Sequence, residues 1–328
     1  MPAFVYPPLP EGHIRLLRIT PNPDEDAPIH CRLFDYPLHQ GTRKGSHLYE
    51  ALSYVWGSSE RPRVVGTDGG TIPVTQNLHA ALSRLRDGYI PRVVWIDAIC
   101  INQDDLSERG QQVRLMATIY ASANRVIVWL EDLSSSVGVN TVASAATHRA
   151  LEAVGAAANR DPDETVSNTD HDISDDVLAV LNHQWFRRVW VLQEVAAARQ
   201  VVIMCQLSEI DGSAFCVGLQ ALRPKSSDAT RQNQIDSTIF LIKRASLRRK
   251  YQEPETSKSA IFSLNVRPLA ELVSMYQDRD ATDRRDKIFA LLGMASDHVA
   301  PSLLPDYSIS WPELFRRFVC SQVGEQAR

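Results

Sequence analysis

No apolar run in the 328-residue chain approaches the ~20 residues a helix needs to cross a bilayer. The opening stretch, MPAFVYPPLPEGHIRLL, lacks the basic start and apolar core of a secretory signal. There is no polybasic run, and net charge is −4, so binding to nucleic acid or an anionic membrane has no electrostatic support. The five cysteines (Cys31, Cys100, Cys205, Cys216 and Cys320) are odd in number, widely spaced and never C-x-x-C. They predict reduced thiols in an intracellular, cytoplasmic protein, with Cys100 and Cys205 as core packing. None of the nine histidines forms an H-x-x-x-H pair beside an acid, so zinc-ligand spacing is missing and no metal is expected. His183 is open between a helix-start and a pocket role, with the structural one favoured. The glycines of Asp68-Gly69-Gly70 precede no helix and no Lys-Ser/Thr pair, which removes a phosphate loop and leaves a hairpin turn.

What is present fits an ordinary soluble globular protein. The chain is 44% hydrophobic and 23% charged, enough to build one large core or two small ones. HIRLLRI and IHCRLFDY have strand periodicity and flank the loop TPNPDEDAP, predicting a hairpin at one edge of a sheet. YEALSYVWG is a buried strand. TQNLHAALSRLRDG has helical spacing with Thr75 or Asn77 as cap. RVVWIDAICI reads as one continuous strand buried on both faces, followed by a helix with Val113, Met116, Ile119 and Tyr120 inward. RVIVWL is another strand. From Glu131 to Asp176 the pattern dissolves, with one helix over VASAATHRALEAVGAAA and a mobile loop over NRDPDETVSNTDHD. DDVLAVLNHQ is a short helix, and QVVIMC is a strand.

Strands alternating with helices predict an α/β fold with a mainly parallel sheet. The expected division is an α/β domain over 1–210, interrupted by an insertion over 131–176, and a mainly helical extension over 211–328. In the latter, SDATRQNQIDSTIFLIKRASLR is one helix, two more flank the charged bend DRRDK, and a last helix is capped by Ser310. The end soon after suggests a natural short form or a piece of a longer protein.

The stretch WFRRVWVLQEVAAARQVVIMC poses the functional question. At about 100° per residue, Trp185, Val189, Leu192 and Ala196 form an apolar stripe, and most of the helix circumference is apolar. Glu194 sits in its middle, one turn after Trp190 and two after Arg187. The bland reading is a surface ion pair between Glu194 and an arginine.

Several blocks together resemble the fungal heterokaryon incompatibility (HET) domain family: YEALSYVWG, NLHAALSRLR, WIDAICINQDDLSERGQQVRLMATIYASANRVIVWL, WFRRVWVLQEVAAA, RRDKIFALLGMASD and PDYS. That family in turn looks like a distant relative of the TIR domain, a flavodoxin-like fold whose enzymes cleave NAD with a helical glutamate. By this resemblance Glu194 falls at the catalytic position. The resemblance implies a cell-death effector of fungal non-self recognition that hydrolyses NAD to nicotinamide and ADP-ribose. NAD is then substrate, and no cofactor is required. The implied partners are other incompatibility proteins, with self-assembly on activation. Two alternatives stay open: a non-enzymatic signalling module, and a nucleotide-binding regulator of the same fold.

One carboxylate suffices for this chemistry, because nicotinamide leaves neutral from a cationic pyridinium and the enzyme need only orient the ribose and stabilise an oxocarbenium-like centre. Trp190 would stack on nicotinamide or wall the pocket. Arg187 would keep Glu194 ionised or meet a phosphate, and Gln193 would bond a ribose or amide. Ser53, Tyr54, Trp56 and Gly57 are candidates for the opposite wall. Asp97, Asn102, Glu108 and Arg109 are further candidates at the next strand's end. Each has a plainer role: Tyr54 and Trp56 as core, Asp97 as a loop cap, Glu108 as a helix-start acid.

Overall fold

The computed structural model describes residues 2–38, 48–130, 140–160, 170–245 and 262–326. Its elements are β1 (His13–Ile19), β2 (His30–Pro37), β3 (Glu50–Ser53), β4 (Arg63–Thr67), β5 (Gly70–Val74), α1 (Gln76–Leu85), β6 (Arg92–Trp95), α2 (Asp97–Cys100), α3 (Leu106–Ser122) and β7 (Val126–Trp129). There follow α4 (Asn140–Ala158), α5 (Asp170–Leu181), a 3-10 turn (Gln184–Arg187), α6 (Trp190–Ala197), β8 (Val201–Met204) and β9 (Glu209–Asp211). The chain continues through α7 (Gly212–Leu222), α8 (Ala229–Arg244), α9 (Leu269–Met275), α10 (Asp286–Leu292) and α11 (Trp311–Gln326).

The strands form one mixed nine-stranded sheet in the order β5-β4-β2-β1-β6-β3-β7-β8-β9. Its centre, β6-β3-β7-β8, is parallel throughout. β3, β7 and β8 are buried at every position, as expected for strands covered on both faces. The four expected runs share one sheet and pair parallel with one another, while the sheet as a whole is mixed rather than mainly parallel. Numbered by appearance within this core, the order is 2-1-3-4, that of a doubly wound flavodoxin-like sheet. The chain leaves β3 in one direction to reach β6, then returns past β3 to β7 and β8. Right-handed crossovers therefore place α1 on one face and α3 with α6 on the other, and α3 and α6 pack together. The reversal falls at β3 and β7, where ligands enter such sheets beyond the carboxyl ends of the strands.

Three further sequence expectations need correction. The β1–β2 hairpin forms, but inside the sheet: Leu17–Ile19 pair antiparallel with Arg92–Val94 of β6, and β2 pairs with β4. The edge belongs to the β4–β5 hairpin, which turns at Asp68-Gly69-Gly70 with Gly70 at φ +141°. Second, RVVWIDAICI is not one strand. The Asp97 carboxylate accepts its neighbour's Ala98 N–H at 2.7 Å, and Cys100 N–H bonds Ile96 O at 2.7 Å, so the chain coils into α2. Short apolar runs do not distinguish buried strand from buried helical turn. Third, α5 begins at Asp170, before the helix expected from Asp175, so the last residues of the expected loop are helical, whereas the helix expected over VASAATHRALEAVGAAA forms as α4. α4 packs on α5 and α7, and a Cβ on Gly218 of α7 would lie 2.0 Å from Val154 O. Residues 161–169 of the expected mobile loop lie outside the described residues, as do 131–139.

Helix starts obey their capping residues. Thr75 accepts from Leu78 N–H and starts α1, and Asp228 caps α8. At α3, the Asp105 Oδ1 accepts from Ser107 N–H (2.9 Å) and Glu108 N–H (3.1 Å). Asp105→Ala is expected to cost about 1 kcal/mol, read as a lower urea midpoint at unchanged slope.

Candidate functional site

The helix expected to run unbroken from Trp185 is broken. His183 Nδ1 accepts Trp185 N–H at 3.2 Å and caps the 3-10 turn. Arg188 is then extended (ψ 137°), because the chain pairs here with a distant segment. Asp280 N–H bonds Arg187 O at 2.7 Å, and Val189 N–H bonds Asp280 O at 3.0 Å. α6 starts only at Trp190. The break rotates the arginines relative to Glu194. Arg187 is exposed and does not share Glu194's face, contrary to the helical wheel. Arg188 turns inward instead, and its Nη1 donates to Tyr54 O.

Glu194 is only 2% exposed, so the bland reading of a surface ion pair does not hold. Its Oε2 accepts a hydrogen bond from the Ser53 hydroxyl at the carboxyl end of β3. The Ser53 oxygen in turn accepts Trp185 Nε1–H at 2.8 Å. The serine has one proton and the indole can only donate, so with Glu194 ionised the chain runs Trp185→Ser53→Glu194. Burial pushes the Glu194 carboxyl up to about 7; Arg188 and the Ser53 hydrogen bond oppose this, and Asp97 adds to it. Glu194 therefore changes charge near neutrality. The buried phenols of Tyr54 and Tyr120 face the same centre, and burial with neighbouring carboxylates holds both well above the usual tyrosine range. Tyr120 OH donates to Leu52 O at 3.1 Å.

Asp97 is the second acid. The residue is half-buried, but its carboxyl is turned inward. Its Oδ2 accepts Trp56 Nε1–H at 2.9 Å, and burial raises its pKa against the pull of Arg188 and Trp56. Ser53, Tyr54, Trp56, Asp97 and Glu194 are thus brought together around Arg188. Trp190 lies one helical turn before Glu194 on the same face of α6, and its indole N–H bonds Asp286 at 3.0 Å. Gly57, at φ +73°, turns the exposed loop after Trp56 in a conformation that favours glycine.

The remaining candidates do other things. Glu108 is paired with Arg15, at 2.9 Å between Oε2 and Nη2, and it accepts Asn102 N–H at 2.7 Å. Both belong to the packing between β1 and α3. Arg109 lies over the Tyr307 ring at 3.7 Å. Gln193 is buried against Gly293, where a Cβ would come 2.5 Å from its Oε1. Among the described residues no group of His, Cys, Asp or Glu could hold a metal ion. Sequence patterning missed Arg188, the polar role of Trp185, and Asp286 with Tyr307. The paired arginines marked the first only if the helix break was known. The block RRDK-IFALLG contained Asp286, read only as part of the charged bend DRRDK.

The heterokaryon incompatibility protein (HET) family profile matches residues 49–194, a span that begins just before β3 and ends on Glu194. The chain is also similar to heterokaryon incompatibility protein 6, OR allele, of Neurospora crassa, with 27% identity over 350 residues. That alignment takes in 92% of this chain and 50% of the relative, so the chain spans about half the length of the curated protein it matches. No solved structure matches the chain. Over residues 49–194 the chain is therefore similar to the heterokaryon incompatibility (HET) family, and the relative it resembles over most of its length carries the same family name.

Proposed function

We propose that this chain is a cytoplasmic effector of fungal non-self recognition, and that it acts by hydrolysing NAD to nicotinamide and ADP-ribose. The incompatibility role rests on the family and on the name of the Neurospora relative. The chemistry rests on one observation: a glutamate at the switch point of a doubly wound sheet, aimed by a hydrogen-bond chain and poised near neutrality. NAD brings a cationic pyridinium to that carboxylate. As the C1′–N bond breaks, its electron pair goes to nicotinamide, which leaves neutral. The ionised Glu194 offsets the positive charge that builds on the ribose. Water attacks C1′ and releases a proton, giving ADP-ribose. The resemblance to TIR enzymes supports the same assignment.

Glu194 is closed in this structure, and its partly exposed rim is Trp56, Asp97, Arg188 and Trp190. Substrate access requires that rim to open, and partner-driven self-assembly is the step that would open it. The same closure favours a second reading, a signalling module in which Glu194 is a core acid. Incubating the purified full chain with NAD, alone and after induced assembly, separates them. Nicotinamide release supports hydrolysis. A death-competent assembly that leaves NAD intact overturns it and leaves the signalling module.

A further inference from the structure

The HET match stops at Glu194, yet α6 is gripped by residues almost a hundred positions downstream. Asp286, the first residue of α10, is buried at 7% exposure. Its Oδ2 accepts Trp190 Nε1–H at 3.0 Å, and its Oδ1 accepts Tyr307 OH at 2.7 Å. Among the described residues it makes no ion pair, so a buried carboxylate has been given two neutral donors. Such a group is costly unless its hydrogen bonds are held in place.

Everything behind it is held in place. The guanidiniums of Arg109 and Arg285 lie over the Tyr307 ring, 3.7 Å and 5.2 Å from its centroid, and the ring meets Phe289 edge-on at 5.4 Å. Arg285 donates to Tyr307 O (2.6 Å) and Ile309 O (2.7 Å), and it pairs with Asp283 through two hydrogen bonds. At the far end of α10, Gly293 admits Gln193 where a Cβ would clash. Trp190, by contrast, opens α6 with no side-chain cap at the residue before it. Its indole has one polar atom, and Asp286 takes it. The network therefore runs from a rigid C-terminal frame to the aromatic residue one turn from Glu194.

We propose that Asp286 is a positioning residue which, backed by Tyr307, fixes Trp190 beside Glu194, so that residues 283–307 complete the site that the HET span alone leaves open. The effect on turnover rests on the NAD-hydrolase reading; the positioning of Trp190 does not. The test uses the full chain labelled with 5-fluorotryptophan, which gives a fluorine resonance for each of its six tryptophans. Trp190→Phe assigns one of them. In Asp286→Ala, the Trp190 signal alone should shift or broaden while the other five stay. Asp286→Asn keeps an acceptor and should restore most of its position. Tyr307→Phe keeps the packing, loses the second donor, and should move the signal less. If Asp286→Ala fails to fold, the last two variants carry the same comparison. Nicotinamide release by Asp286→Ala should fall on the order of tenfold or more in kcat with a smaller change in KM. An unmoved Trp190 signal, or equal broadening of all six, overturns the positioning. A displaced Trp190 with unchanged kcat overturns its part in the site. If the wild type releases no nicotinamide, the hydrolase reading fails by itself, and the fluorine spectra still decide whether Asp286 holds Trp190.

Discussion

Glu194→Gln is expected to abolish NAD cleavage and cell killing while the fold remains intact. Glutamine keeps the shape of the side chain, and its carbonyl still accepts the Ser53 hydroxyl, so the Trp185→Ser53 chain has somewhere to end. What it loses is the negative charge facing the developing ribosyl cation. In a site that excludes water this contact is worth on the order of 3 kcal/mol, or about a hundredfold or more in rate. The measurement is nicotinamide release by wild type and variant under the same assembly conditions, with thermal unfolding run beside it. Equal turnover would remove Glu194 from the chemistry. Loss of turnover with a collapsed unfolding transition would show only that the side chain is structural.

That experiment is sharper because of where the arginines lie. An unbroken helix puts Arg187 two turns before Glu194, where its charge would keep the carboxylate ionised. The pairing of Arg188 and Val189 with Asp280 breaks the helix and gives that place to Arg188. The partner strand comes from residues far along the chain, so no local periodicity could reveal it. The same limit explains Asp286. Within DRRDK it sits among four other charges over Asp283–Lys287, and local composition favours solvent. Only the arrival of Trp190 and Tyr307 from distant blocks makes it a buried acceptor.

What was legible is what local chemistry dictates. The apolar strands β3, β7 and β8, the caps Thr75 and Ser310, the hairpin at Asp68-Gly69-Gly70 and the alternation of strand and helix are short-range signals that the structure contains. Glu194 was legible for the opposite reason: a lone carboxylate on an apolar helix violates the pattern around it, and such violations mark sites. Register and placement were not legible. Whether the β1–β2 hairpin lies inside the sheet or at its edge is decided by β6 and β4. Where WIDAIC leaves the strand is decided by the Asp97 carboxylate, which accepts the Ala98 N–H, and by the first helical backbone bond, from Cys100 N–H to Ile96 O.

The poise of Glu194 carries a stability prediction with a definite sign. Its folded pKa is raised from the model-compound 4.5 to about 7, by burial first. Folding therefore favours the protonated acid. The stabilisation this gives is complete below the unfolded pKa, fades as pH rises from about 4.5, and is lost above about 7. Integrated over that window, the loss is about 3 kcal/mol. Asp97 and Asp286, also raised by burial, act in the same direction. Glu50, held down by Arg92 and Arg125 against its burial, acts in the opposite one and matters as pH falls. Glutamine at 194 cannot ionise, so the difference between wild type and Glu194→Gln isolates this one group. Urea unfolding at pH 4 and pH 8 should show the variant gaining about 3 kcal/mol on the wild type at the higher pH. A pH-independent difference would mean that Glu194 titrates alike in the folded and unfolded chain. The predicted trend also ties stability to activity. The ionised form that the fold tolerates least is the form the chemistry needs. A cationic substrate at the site would draw Glu194 back into that form, so binding should release protons, most strongly below pH 7.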